Sequence, residues 1–156
     1  MKRKRVEYKA KPTTGLSKEL HEKLVEESSV LKEPEAAYVV SKVREGLPFD
    51  EFHALQEMLG LTEEKMGALL GMSRATLHRR KKAGTLDRSE SDRLVRYARV
   101  LTKACELFED LDNAAEWLRS PAIAFNQETP LQYADTEIGA REVEALIMRL
   151  EHGVFT

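Results

Sequence analysis

The chain has a single cysteine, Cys105, so no disulfide can form within it, and a reducing, cytoplasmic setting is expected. Cys105 falls on the apolar side of a predicted helix and is expected to be a small core residue. No apolar run approaches ~20 residues, so no spanning helix and no membrane partner are expected. The start, MKRKRVEYKAKP, is basic but lacks the apolar stretch of a secretory signal. The histidines, His21, His53, His78 and His152, are scattered. None stands at metal-ligand spacing from another His, Cys, Asp or Glu, so no metal site is expected. A phosphate-cradling glycine loop and a Ser/His/Asp signature are also missing. No catalytic residue and no cofactor are therefore expected, and binding is the better hypothesis than catalysis. Alternation with a period of two is absent as well, which argues against a sheet.

What is present is helical period throughout, and one stretch is specific. Residues 61–82, LTEEKMGALLGMSRATLHRRKK, read as two short helices joined by a tight turn. The first is expected over 62–70, with Thr62 as its cap and Glu63 and Glu64 complementing the positive end of the helix dipole. Met66, Leu69 and Leu70 form its apolar stripe. Gly67 falls where two helices should cross, and Gly71 falls at the turn, where a left-handed residue ends a helix cheaply. Ser73 starts the second helix, which carries Leu77 inward and Arg74, Thr76, His78, Arg79, Lys81 and Lys82 outward. A helix-turn-helix sets such a helix in the DNA major groove. Arg80 departs from the pattern, because an apolar residue often closes the core there.

Charge is distributed unevenly. Residues 65–103 hold 11 Lys/Arg and 3 Asp/Glu, for +8, whereas residues 104–156 hold 3 Lys/Arg and 11 Asp/Glu, for -8. The basic block coincides with the second helix and the twenty or so residues after it, as a phosphate-binding footprint should. The acidic block should point away from DNA and would suit a basic protein partner.

Elsewhere the period predicts helices over 17–28, 34–45 and 49–59. A long helix over 89–111 is expected to open with a capping box formed by Ser89 and Asp92. A short helix over 113–119 carries Trp117 and Leu118. A further helix starts at Pro130-Leu131, and the last spans 136–150. The fold class is therefore all-α: a helical bundle with a central Cro/repressor-like helix-turn-helix and a C-terminal helical domain. We divide it into a flexible basic arm (1–16), an N-terminal helical part assigned to dimerisation (17–59), the helix-turn-helix (60–84) and the C-terminal domain (85–156).

Beyond the second helix the sequence becomes more distinctive. The run 83–94, AGTLDRSESDRL, resembles the segment after the helix-turn-helix in Xre/MbcA/ParS-type antitoxins. Trp117-Leu118, Pro121, Thr129-Pro130-Leu131, the TEIGA of 136–140 and the RLEHGV of 149–154 are similar, in that order, to the toxin-binding domain of the same family. The likeness runs from about residue 50 to the end. It implies a bacterial type II toxin–antitoxin pair, in which the antitoxin neutralises a RES-domain toxin that consumes NAD. It also implies that the complex represses its own operon, that the antitoxin dimerises, and that its C-terminal region packs near the toxin's active-site entrance.

The candidate DNA contacts are Arg74, Thr76, His78 and Arg79 on base edges, with Ser73, Arg80, Lys81 and Lys82 contacting phosphates or orienting the helix. The candidate toxin contacts are Trp117, Leu131, Tyr133, Arg149, His152, Val154, Phe155 and Thr156. Trp117 is better explained by the domain's own core, whereas Val154 and Phe155, in a tail beyond Gly153 with little of its own to pack against, favour a partner. The partners expected are a RES-domain toxin, operator DNA and a second copy of the chain. A stand-alone helix-turn-helix repressor with ligand-binding or dimerising C-terminal helices is the main alternative. An architectural DNA-organising protein is a third reading.

Overall fold

The computed structural model describes residues 36–153. The expected arm (1–16), the expected helix over 17–28, Pro34 and the tail Val154, Phe155 and Thr156 lie outside the described residues. Within them the chain forms eight α-helices: α1 (Ala36–Glu45), α2 (Phe49–Leu59), α3 (Glu63–Leu69), α4 (Arg74–Ala83), α5 (Arg88–Phe108), α6 (Leu111–Arg119), α7 (Pro130–Tyr133) and α8 (Glu137–Glu151). A single 3-10 turn, Ile123–Phe125, links α6 to α7. The all-α class is as expected; one isolated bridge between Pro48 and Thr85 is the only β-type pairing among the described residues.

Most helix starts reflect a short polar side chain placed to satisfy free backbone N–H groups. Thr62 accepts from Lys65 N, Ser73 from Thr76 N, Asp110 from Asn113 N and Thr136 from Gly139 N. Two starts are reciprocal boxes, Thr129 with Gln132 and Asp87 with Glu90. The second differs from the expected Ser89–Asp92 box. Asp87 and Glu90 have the same i, i+3 spacing two residues earlier, and Glu90 has the longer side chain that reaches back to the cap N–H. Ser91, which lies inside the expected box, is instead buried and donates to Asp87 O at 2.6 Å while accepting from Leu47 N at 2.9 Å. The long helix ends at Phe108, where Glu109 turns left-handed, and Asp110 restarts the chain as α6.

α5 is the spine. It packs most extensively against α8 and α6, and also against α1 and α2. One buried cluster runs through Phe52, Leu55 and Leu59 of α2, Met66 of α3, Leu94, Tyr97 and Leu101 of α5, Leu118 of α6 and Val143 and Ile147 of α8. Within the part assigned to dimerisation (17–59), α2 is packed into the chain's own core. Its apolar residues Phe49, Phe52, Leu55, Met58 and Leu59 are spent on the chain's own core, where burial of each is worth roughly 1.5–3 kcal/mol. α1 differs, with Tyr38 and Val40 exposed and none of its residues buried.

Candidate functional site

The helix-turn-helix forms as its residues require. A Cβ on Gly67 would lie 3.3 Å from Leu77 Cδ2, so α3 and α4 cross at the glycine with Leu77 seated against it. At the turn, Gly71 has a φ of +76° and the Arg93 guanidinium packs where a Cβ would project. Arg93 Nη1 donates to Leu70 O at 2.8 Å, which satisfies a carbonyl at the end of α3.

α4 presents Ser73, Arg74, His78, Arg79, Lys81 and Lys82 as exposed side chains, with Thr76 half-buried among them. Ser73 Oγ donates to Thr76 Oγ1 at 3.1 Å and Arg79 Nη2 donates to the same oxygen at 3.3 Å, forming a hydroxyl-to-guanidinium chain at i, i+3 and i+6. Arg74 pairs with Glu64 and Lys81 with Glu63, the two first-turn acids of α3. These pairs are solvent-exposed and so weakly held, and a phosphate can displace either acid. Neither Arg79 nor Lys82 has a carboxylate partner among the described residues. Arg80 is placed differently: its guanidinium turns away from the exposed face to Asp87 and Glu90 of the α5 capping box.

The +8 block is therefore only partly free to meet a phosphate backbone. Arg93 and Arg96 bind main-chain carbonyls, Leu70 O and Asp135 O, and Arg96 and Arg99 pair with acids of α8. Arg99 contacts both Glu137 and Glu144, so part of the -8 block is consumed by part of the +8 block. Sequence reading misses this network because partners 38 and 45 residues apart carry no local spacing signal.

Glu137 makes one consequence measurable. Burial pushes its carboxyl pKa up, but the Arg99 and Arg96 guanidinium groups outweigh that and hold it below the ordinary carboxylate range. A depressed folded-state value stabilises above the unfolded value and is lost as pH falls through the folded one. Glu137→Gln is therefore expected to be less stable than the parent at neutral pH, with the gap closing as pH falls below about 4. Urea unfolding at a series of pH values measures it. The effect is modest, because Glu137 is 43% exposed and the pairs are screened.

The C-terminal half carries the other candidate contacts. Leu131, expected at a partner surface, is 4% exposed and belongs to the core, because the Thr129–Gln132 box turns it inward at the start of α7. Tyr133 is half-buried and stacks on Phe125 at 4.4 Å between ring centroids. Trp117 is half-buried against Phe108, and its open side lines a groove of about 380 Å³ with Pro121, Ile123, Leu146 and Leu150. Arg149 is half-buried and His152 exposed at the end of α8. The structure adds Ile138 and Ile123, which are 78% and 74% exposed, and Met148 at 54%. None stands out in the sequence, since Ile138 and Met148 sit on a helix whose apolar stripe is satisfied by Val143 and Ile147. Cys105 is buried, and burial first, then Asp110 and Glu106, push its pKa up to about 12, so it is an inert core thiol. No helix among the described residues is long and apolar enough to cross a membrane.

Two family models match adjoining parts of the chain: the antitoxin Xre-like helix-turn-helix domain over residues 39–99, and the antitoxin Xre/MbcA/ParS C-terminal toxin-binding domain over residues 103–153. The first contains α2–α4 and most of the α5 residues that grip them; the second contains the groove and the exposed isoleucines. The chain is 32% identical over 120 residues to an antitoxin Xre of Yersinia enterocolitica, covering 76% of this chain and 81% of that one. It is 33% identical over 114 residues to an antitoxin Xre of Photorhabdus laumondii, covering 72% and 77%. A third, from Pseudomonas putida, is 34% identical over 64 residues, 41% of this chain and 40% of that one. With a helix-turn-helix domain and a toxin-binding domain on one continuous core, the chain belongs to the Xre family of antitoxins.

Proposed function

We propose that this antitoxin neutralises a RES-domain toxin that consumes NAD, and that it represses its own operon through α4. The observation that carries the reading is the presence of two unlike surfaces on one core. One is the exposed face of α4, with Arg79 and Lys82 lacking a carboxylate partner among the described residues. The other is the apolar surface of the C-terminal half, with Ile123, Ile138 and Met148 exposed. Together with the apolar groove lined by Trp117, Leu146 and Leu150, they are the surface we assign to the toxin. The surrounding acidic excess suits a partner with a positively charged, NAD-binding cleft.

In this reading the toxin contacts Trp117, Tyr133, Arg149, His152, Val154, Phe155 and Thr156, together with the isoleucines added above. DNA is held by Ser73, Arg74, Thr76, His78, Arg79, Lys81 and Lys82. Dimerisation falls to α1 and the residues before it, and the dimer sets two α4 helices ~34 Å apart on a palindromic site. Co-expression with the product of the adjacent gene tests the proposal. A stable complex is expected, with NAD consumption by the partner suppressed when this chain is present. A chain that binds DNA but neither captures that product nor suppresses NAD loss would be a stand-alone repressor.

A further inference from the structure

α4 is ten residues long and buries one of them, Leu77, with α3 as its main packing partner. A single apolar anchor fixes how far a helix stands from its neighbour but leaves its rotation about its own axis poorly determined. The second fixed point is electrostatic. Arg80, three residues after Leu77 and so on the same face, donates from Nε to both carboxylate oxygens of Glu90 at 2.9 and 3.2 Å. Its Nη2 donates to Asp87 Oδ2 at 3.1 Å. Both acceptors already cap α5: Glu90 N donates to Asp87 Oδ1 at 2.7 Å and Asp87 N to Glu90 Oε2 at 2.9 Å. The Glu90 side chain is only 8% exposed, and a carboxylate that dry is tolerated only when paired and hydrogen-bonded.

We infer that the Arg80–Glu90–Asp87 cluster sets the rotation of α4, which makes Arg80 a positioning residue for DNA binding rather than a phosphate contact. The capping box of α5 thereby serves two helices: it starts the spine and aims the recognition helix standing beside it. The inference goes beyond the proposed function, and only its DNA measurements rest on that reading.

The test uses the full chain as parent, Glu90→Gln and Arg80→Lys. Glutamine serves as well as glutamate in a capping box, so Glu90→Gln removes the charge and keeps α5 capped. Lysine keeps the charge of Arg80 but cannot fork across two carboxylates. In the free protein, amide hydrogen exchange over residues 77–83 is expected to quicken in both variants while residues 94–104 stay protected. On a duplex from immediately upstream of the chain's own gene, both variants are expected to bind about tenfold more weakly, as when one aligned base contact is lost. The slope of log affinity against log salt should not change. Electrostatics alone predicts the reverse for Glu90→Gln, since removing a negative charge beside a polyanion tightens binding. A phosphate contact predicts that Arg80→Lys keeps parental affinity. Unchanged exchange over 77–83, tighter binding by Glu90→Gln, or parental affinity in Arg80→Lys would each overturn the assignment. If the parent does not bind that duplex, the operator reading fails, and the exchange measurement still decides the role of the cluster.

Discussion

Gly139→Ala is expected to destabilise the chain by about 3 kcal/mol, although helix propensity alone predicts a gain of about 1 kcal/mol. Gly139 lies in the first turn of α8 with ordinary helical φ, so alanine meets no backbone penalty there. The obstacle is the neighbouring turn. A Cβ on Gly139 would fall well inside 3.0 Å of Tyr133 O, a separation that real Cβ atoms essentially never show, and would also crowd Thr136 Oγ1. The opposing atom is main chain, so no rotamer change relieves it. Either the end of α7 moves, carrying Leu131 and Ala134 out of the core, or the first turn of α8 unwinds and loses the Thr136 cap. Gly84→Ala is the control. Its φ is +79° but nothing lies within 4 Å of the added carbon, so only the left-handed backbone penalty of about 1–2 kcal/mol applies. Urea midpoints for the two variants separate steric overlap from backbone conformation, and Gly139→Ala should be the worse.

The close approach at Gly139 is one of several places where the fold is held by contacts made across helix ends. Arg119 Nη1 donates to Gly60 O at 3.1 Å after α2, and Arg93 and Arg96 do the same for carbonyls after α3 and α7. Each arginine comes from α5 or α6 and reaches a helix terminus that has run out of intrahelical donors. The apolar core brings the helices together. These guanidinium caps and the Arg99–Glu137–Glu144 cluster fix their ends, so the helix-turn-helix and the C-terminal half share one spine.

The sequence is readable where the cause is local. The bounds of α2, the Thr62 and Ser73 caps, the glycine crossing at Gly67 and the inward Leu77 all depend on residues within a few positions of one another. The bounds of α8 reflect Thr136 and the Val143–Ile147 spacing for the same reason. Expectation and structure part where two local solutions compete or where the cause is distant. Ser89–Asp92 and Asp87–Glu90 have the same spacing, and beside the longer reach of Glu90 it is the Arg80 counter-charge and the burial of Ser91 that favour the second. Leu131 in a short segment reads as a partner contact because four residues of α7 carry no period. Charge counting takes Arg93, Arg96 and Arg99 for a phosphate footprint, since the carbonyls and carboxylates that hold them become neighbours only in the folded chain. Arg80 itself is out of place in the core of the motif, and that oddity is the one local sign of the cluster it forms.

Within the proposed repressor role, Arg79→Ala is expected to lower affinity for the operator by about 10- to 100-fold and to relax base preference at one position, with only a small change in salt slope. Arg79 is exposed, has no carboxylate partner among the described residues, and is steadied by Thr76, whose hydroxyl is itself fixed by Ser73. A guanidinium held part-way to its bound geometry loses less entropy on meeting a guanine edge, and it can pair with O6 and N7 at once. Lys82, one helical turn further along, should behave in the opposite way. Its ammonium is a flexible point charge suited to phosphate, so Lys82→Ala should weaken binding on operator and unrelated duplex alike and flatten the log-salt slope by about one unit. Thr76→Val supplies the link between them, because it removes the hydroxyl that orients Arg79 while leaving every charge in place. It should reproduce part of the Arg79→Ala loss on the operator and none of the Lys82→Ala change in slope. Affinities measured on both duplexes across a salt series decide the matter. Equal loss by Arg79→Ala on the two duplexes would make Arg79 a phosphate contact and move base reading to Arg74 and His78.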